Sequence, residues 1–298
     1  MYGINKFEYI APNKIIEAVK ILKDIGSDSV IMAGGTDLLI KIKKKIIKPK
    51  FILGLKNINE LKKIYLNKKK ELIIGSNILL STISELKKII KKYPTIASSA
   101  KITANTQIRN MGTIVGNLCN ASPSADNAPI LLAMKSKLNI INYKSNKIIK
   151  LKNFFLGPGK TILKKNEIVK SIIVPKLHKN YGSSYISISQ KGKQGCTSVS
   201  SATVLNINKK KIIEDITIFI GACAPTPIRA FKTENLLKKN KINNKIINEA
   251  SKRALKEISP ISDIRSSKEY RNAILPTIVK RSIKEAINMS NFKIFNKK

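Results

Sequence analysis

The sequence predicts an α+β fold in two successive parts. Three observations predict it. Strand-like runs alternate with helical patterns through the first 177 residues. A polar, turn-rich stretch follows at Pro175–Gly182. Beyond it, three strand-like segments with alternating apolar residues precede two amphipathic helical segments, the order of an α+β layer domain.

Residues 14–24, KIIEAVKILKD, carry apolar positions at helical spacing, and Gly26 is a plausible stop. SVIMA (29–33) reads as a short buried strand. Thr36 or Asp37 offers an N-cap for a helix beginning near Leu38. KFILGL (50–55) is another strand. Residues 71–103 read as a strand, a turn, a helix, then a second helix after Pro94. Residues 110–126 read as a long ordered loop ahead of a helix starting near Ala128–Pro129. LNIINY and EIVKSIIVP are short strands between Leu138 and Pro175. The first part, residues 1–177, thus divides into lobes of about 1–57 and 58–177. In the second part, 182–290, SSYISIS, SVSSATVLNI and ITIFIGACA are the strands, with helices near 244–258 and 274–288.

Composition narrows the function. Hydrophobic residues make up 43% of the chain, and no apolar run reaches the roughly 18–20 residues of a membrane span. The N-terminus lacks a continuous apolar segment of the signal-peptide kind, so a cytoplasmic protein is expected. The formal net charge is +39, a field that would attract polyanions. Yet the charge is mostly lysine, scattered in clusters among Ile and Asn, and there is no Trp. A nucleic-acid surface concentrates arginine and stacking aromatics on one face. Solvated faces and compositional drift are the preferred reading, a polyanion-binding surface the competing one, and neither membrane nor nucleic acid is an expected partner.

Side-chain catalysis finds little support. Cys119, Cys196 and Cys223 are far apart and read as reduced thiols, not a zinc or cluster site. His178 is the single histidine and reads as a surface loop residue, so neither a histidine metal cluster nor a Ser-His-Asp triad is supported. GPGKT (157–161) lacks the first glycine of a P-loop, since Phe154 stands there. No G-x-G-x-x-G occurs.

Two stretches carry ligand chemistry instead. In IMAGGTDLLI (31–40), paired glycines between apolar runs let backbone approach a ligand closely, and free N–H groups in such a turn suit a phosphate. The alternative is a plain strand–helix turn. NMGTIVGNLCNASPSAD (110–126) is dense in amides and hydroxyls with little charge, which fits a diphosphate with an attached sugar or polyol. In GACAPTPIRA (221–230), two prolines make a rigid strand-to-helix connection, and Arg229 is a candidate ion-pair donor.

AGGTDLL, GTIVGNLCNASPSADNAP, GPGKT…EIV…IIVP and GACAPTPIRA, in that order, resemble the FAD-binding (medium) subunit of the xanthine dehydrogenase family of molybdenum hydroxylases. SKEYR (267–271) resembles that subunit's C-terminal domain, and the likeness runs over roughly residues 5–287. It is closest to bacterial xanthine dehydrogenase FAD-binding subunits. Related subunits serve hydroxylases of nicotinate, aldehydes or carbon monoxide.

The resemblance implies a two-lobed vanillyl-alcohol-oxidase (PCMH) type FAD-binding domain, then a C-terminal α+β domain with a small antiparallel sheet and helices. It implies FAD in this chain, 2Fe–2S clusters and a molybdenum cofactor in partner subunits, and NAD or another electron acceptor. No catalytic or metal-binding side chain is implied, because the flavin does the redox chemistry. Residue by residue, Ile31, Met32, Ala33, Gly34, Gly35, Thr36 and Asp37 form the loop that holds the diphosphate. Thr113, Gly116 and Asn117 belong to the second loop, with Asn120 and Asp126 as polar contacts to the ribityl or phosphate region. Ile168 or Val169 packs near the flavin ring, and Lys191 is a further cofactor contact. Some positions depart from the family pattern. Gln190 stands where members often have a basic residue, Ile186 where some have lysine, and Val115 where many have glycine. The four-cysteine insertion of the CoA-thioester reductase branch is absent.

Overall fold

The computed structural model describes residues 5–190 and 195–290. The chain opens with a parallel three-stranded sheet in the spatial order Glu8–Ile10, Phe51–Gly54, Ser29–Met32. Parallel neighbours require crossovers, and helix Ile15–Ile25 lies in the first of them. It buries Ile15, Ala18, Val19 and Leu22, a helical stripe, against Leu53, Leu55 and Ile58. The helix stops at Gly26, at φ +58°, whose N–H donates to the Leu22 carbonyl.

The second sheet has five antiparallel strands in the order Ile64–Leu66, Leu72–Gly75, Ile168–Val174, Lys137–Ile141, Asn146–Lys150. Its centre, Ile168–Val174, is buried almost throughout, which its near-continuous apolar sequence demands. Between Gly75 and Lys137 the chain forms six short helices: Leu80–Glu85, Lys87–Lys92, Pro94–Ile102, Thr106–Arg109, Ile114–Cys119 and Asn127–Ala133. This corrects two expectations. The single helix before Pro94 is broken at Leu86, which takes an extended conformation. The loop expected over 110–126 contains the helix Ile114–Cys119. There Thr113 caps the first turn, and Ile114, Val115 and Leu118 are buried. Tertiary burial outweighs the glycine and asparagine content that argued for a loop.

A third sheet, antiparallel, runs Tyr181–Ile188, Val199–Ile207, Ile213–Gly221, Ile228–Arg229. Helices Phe231–Leu237, Asn244–Arg253 and Lys268–Met289 share its core, which includes Leu205, Ile218, Leu237, Ile247 and Ile283. The long helix packs so closely that a Cβ at Gly182 would strike the Ala286 carbonyl. Tyr185, Ala202 and Phe219 of the same sheet join the core of the helical region above. A Cβ at Gly221 would lie 2.9 Å from Pro129 Cγ, so helix Asn127–Ala133 also sits tightly on this sheet. Helix Phe231–Leu237 follows directly on the strand-to-helix connection expected over 221–230. Arg229 pairs with the buried Glu234 of that helix at 2.9 Å, a structural ion pair.

GPGKT forms a hairpin of Phe155–Gly157 with Lys160–Thr161. His178 is exposed and accepts from the Asn180 N–H at 3.4 Å. Among the described residues, no helix is long and apolar enough to cross a membrane.

Candidate cofactor-binding site

Strand Ser29–Met32 ends where the Met32 carbonyl accepts from Leu55 N–H at 2.8 Å. The chain then leaves the sheet through Ala33–Asp37 and enters helix Leu38–Lys43. The two glycines serve different ends. A Cβ at Gly34 would strike the Met111 carbonyl and lie 2.8 Å from Gly112 Cα. Gly35 has φ +73°, a conformation that side chains resist. Among the described residues, no backbone carbonyl accepts from the N–H groups of Gly34, Gly35 or Thr36. Asp37 directly precedes the helix but in helical conformation and without a side-chain cap bond. Neither hydroxyl nor carboxylate therefore caps this helix, contrary to expectation.

Gly34 bears directly on the second loop. That loop is fixed by an isolated bridge between Leu79 and Thr113, with Leu80 N–H donating to the Gly112 carbonyl at 2.9 Å. Thr113 Oγ1 accepts from Gly116 N–H at 2.9 Å and starts the short helix. Asn117 Oδ1 accepts from Asn127 Nδ2 at 3.1 Å. Asn127 is fully buried and also donates to Thr103 Oγ1 at 3.1 Å. Asn120 Oδ1 accepts from Lys41 Nζ at 2.7 Å, which ties helix Leu38–Lys43 to the second loop and brings a positive charge to it.

Between the loops lies a cavity of about 530 Å³, within the usual range for a cofactor site. Ile31, Met32, Ala33, Gly34, Gly35, Thr36, Asp37, Thr113, Gly116, Asn117, Asn120, Asp126 and Ile168 all line it. Lys191 lies outside the described residues. Ile168 and Val169, 1% and 3% exposed, give it an apolar wall. The lining fits a flavin dinucleotide. Ser76 and Ser124 both line the cavity with hydroxyl oxygens that are buried and unpartnered among the described residues. Such groups want a hydrogen-bonding ligand. Unused backbone N–H groups on one side and hydroxyls with an apolar wall elsewhere match a phosphate-bearing, ring-containing cofactor.

Several lining residues were not foreseen: Ser76, Thr103, Ala104, Leu163, Glu167 and Cys196. Ser76 follows a strand end and Thr103 a helix end, positions with no local signal of ligand contact. Glu167 is 2% exposed and is held by Lys147 Nζ at 2.5 Å and Lys164 N–H at 3.0 Å. Burial raises the Asp126 carboxyl above its ordinary range, against the hydroxyls of Thr197, Tyr185 and Thr103. Tyr185 is pushed well above the usual phenol range by burial and by the Asp126 charge. Burial also pushes the Cys119 thiol up to about 12, so it stays protonated and is a poor nucleophile.

Fold and cavity together fit a flavin-nucleotide binder, with the cavity lying between two glycine-bearing loops. Residues 5–177 match the family described as "FAD binding domain in molybdopterin dehydrogenase", and residues 184–286 match "CO dehydrogenase flavoprotein C-terminal domain". The chain is 28% identical to the xanthine dehydrogenase FAD-binding subunit of Escherichia coli O157:H7, covering 94% of this chain and 96% of that one. It is 27% identical to the carbon monoxide dehydrogenase medium chain of Hydrogenophaga pseudoflava, covering 94% and 97%. The nicotine 6-hydroxylase medium subunit of Paenarthrobacter nicotinovorans is also 27% identical, over 93% and 96%. Among solved structures, a carbon monoxide dehydrogenase from H. pseudoflava lacking the Mo-pyranopterin moiety superposes with a TM-score of 0.92 at 26% identity, covering 97% and 99%. The chain belongs to the FAD-binding medium subunits of the xanthine dehydrogenase and carbon monoxide dehydrogenase family, and its cofactor is FAD.

Proposed function

We propose that this chain is the electron-transfer subunit of a xanthine dehydrogenase-like molybdenum hydroxylase. It takes electrons from an iron–sulfur subunit and passes them to NAD or another acceptor. Substrate is hydroxylated in a separate molybdenum subunit. The observation that carries this reading is the convergence of both glycine loops on one cavity, in a chain whose relatives are FAD-binding or medium subunits of oxidoreductases. Bound FAD supplies redox chemistry that can be linked to both one-electron and two-electron partners.

The chain's own residues bind and orient. The N–H groups of Gly34, Gly35 and Thr36 would hold the diphosphate, with Ile31–Ala33 and Asp37 framing that loop. Thr113, Gly116 and Asn117 would shape the second loop, and Asn120 and Asp126 would hold the ribityl or phosphate region. Ile168 and Val169 would give the flavin ring an apolar surface that excludes water. Lys41 would offset part of the diphosphate charge through its tie to Asn120. We assign this work to an FAD-binding domain over residues 1–177, with a C-terminal domain over 182–290, in a cytoplasmic complex.

Anaerobic mixing of the FAD-loaded chain with its reduced iron–sulfur subunit tests the proposal. Loss of the oxidised-flavin absorbance on mixing is expected, and recovery when NAD is added identifies that acceptor. A flavin that stays oxidised beside a bound, reduced iron–sulfur subunit would refute the electron-transfer role.

A further inference from the structure

Two ties cross from the C-terminal sheet and the residues flanking its strands onto Pro123–Asp126, a stretch whose Ser124, Ala125 and Asp126 line the cavity beyond Asn120. The first falls on Asp126. Tyr185, on strand Tyr181–Ile188, donates its hydroxyl to Asp126 Oδ1 at 3.0 Å. Thr197 donates its own to the same oxygen at 2.6 Å. Both donors are buried, at 8% and 5% exposure, and neither lines the cavity. The second tie falls on Pro123, whose carbonyl accepts from Ala222 N–H at 3.0 Å. Ala222 sits at φ +62°, a costly conformation for alanine. Its carbonyl is gripped by the guanidinium of Arg271, which is 3% exposed and also donates to Asp263 Oδ1 at 2.6 Å. Between the two anchored residues stands Ser124, with its buried hydroxyl aimed at no protein partner among the described residues.

We propose that Thr197 and Tyr185 are positioning residues for FAD. They act from behind the cavity lining by fixing the Asp126 carboxylate, so the C-terminal sheet completes a site that the two glycine loops alone leave unfinished. The physical reason is the geometry at one atom. Two hydroxyl donors on a single carboxylate oxygen set the rotation of that group, and charge-assisted bonds of this kind are the strong ones. The anchored Pro123 carbonyl keeps the backbone on the other side of Ser124 in register. Binding then needs no rearrangement of Pro123–Asp126, and preorganisation of this kind appears as affinity.

The inference rests on the assignment of the cavity to FAD and of Asp126 to its lining. FAD titrations of the apo full chain, followed by flavin fluorescence, test both separately. Thr197→Val keeps the shape and removes the hydroxyl, and it should weaken FAD binding about tenfold or more. Thr197→Ser restores the donor and should recover most of the affinity. Tyr185→Phe, the milder change, should weaken binding several-fold and keeps the test open if Thr197→Val does not fold. Wild-type affinity in both Thr197→Val and Tyr185→Phe, beside a weakened Asp126→Ala, would overturn the positioning role and leave the FAD assignment intact. Equal weakening by Thr197→Val and Thr197→Ser would also overturn it, because the hydroxyl would then not matter. A wild-type chain that fails to take up FAD would remove the foundation itself.

Discussion

At the scale of single residues, Gly34 is where sequence and site meet most directly. Its missing side chain lets the first loop lie against Met111 and Gly112 of the second. Gly34→Val therefore has to part the two loops. It should abolish FAD retention, read as loss of the flavin absorbance bands, while circular dichroism still reports a folded C-terminal sheet. Full flavin occupancy in that variant would contradict the loop assignment. Asp126 gives a prediction with a sign. Burial raises its carboxyl in the folded chain above the unfolded value. Its contribution to stability is thus fullest in acid and is lost as pH rises through the carboxylate range. Asp126→Asn should make the apo chain more resistant to denaturant near neutral pH, converge with wild type in acid, and weaken FAD binding. A uniform stability change at all pH values would place the effect elsewhere. Residues 31–37 were legible because glycine pairs and small polar residues break an apolar pattern locally. Ser76, Thr197 and Tyr185 were not, since each meets the site through contacts distant in sequence. Thr197, for instance, reaches Asp126 across 71 positions.

Among the elements, the short helix Ile114–Cys119 joins stability to binding. Thr113 caps it and lines the cavity. Thr113→Ala should cost about 1 kcal/mol, the usual value of a lost N-cap, and should weaken FAD as well. Asn243 caps helix Asn244–Arg253 through Ile246 N–H at 2.8 Å, and it is not among the cavity's lining residues. Asn243→Ala should carry a similar stability cost with FAD affinity unchanged. Paired denaturation and titration curves check the contrast, and equal effects on FAD would deny the second loop its role. The helix Ile15–Ile25 was readable because its apolar stripe and its glycine stop agree. Helix Ile114–Cys119 was not, because its glycine and asparagine content signals a loop, and only burial of Ile114, Val115 and Leu118 decides otherwise. The break at Leu86 was hidden for the same kind of reason: the lysine- and isoleucine-rich sequence around it would continue a helix.

For the whole molecule, the three larger sheets are joined by packing: Ile141 and Ile168 of the second share a core with Leu53 of the first, and Tyr185, Ala202 and Phe219 of the third share one with Ile172 of the second. The C-terminal sheet and its flanking residues reach Pro123 and Asp126 through Tyr185, Thr197 and Ala222, and helix Asn127–Ala133 rests on that sheet at Gly221. The order of strands and helices in the sequence carried the architecture, but not which faces of the C-terminal sheet would be covered. A net charge of +39 sets an expectation for assembly. A partner subunit should present acidic surface, and its association should weaken steeply as salt rises. Binding that is indifferent to salt would return the lysines to plain solvation.

The most direct measurement is the absorbance spectrum of the purified chain, with chromatographic quantification of the released cofactor after incubation with FAD. Flavin bands and one FAD per chain are the predicted result. A colourless chain that takes up no FAD would contradict the placing of the cofactor between the two glycine loops.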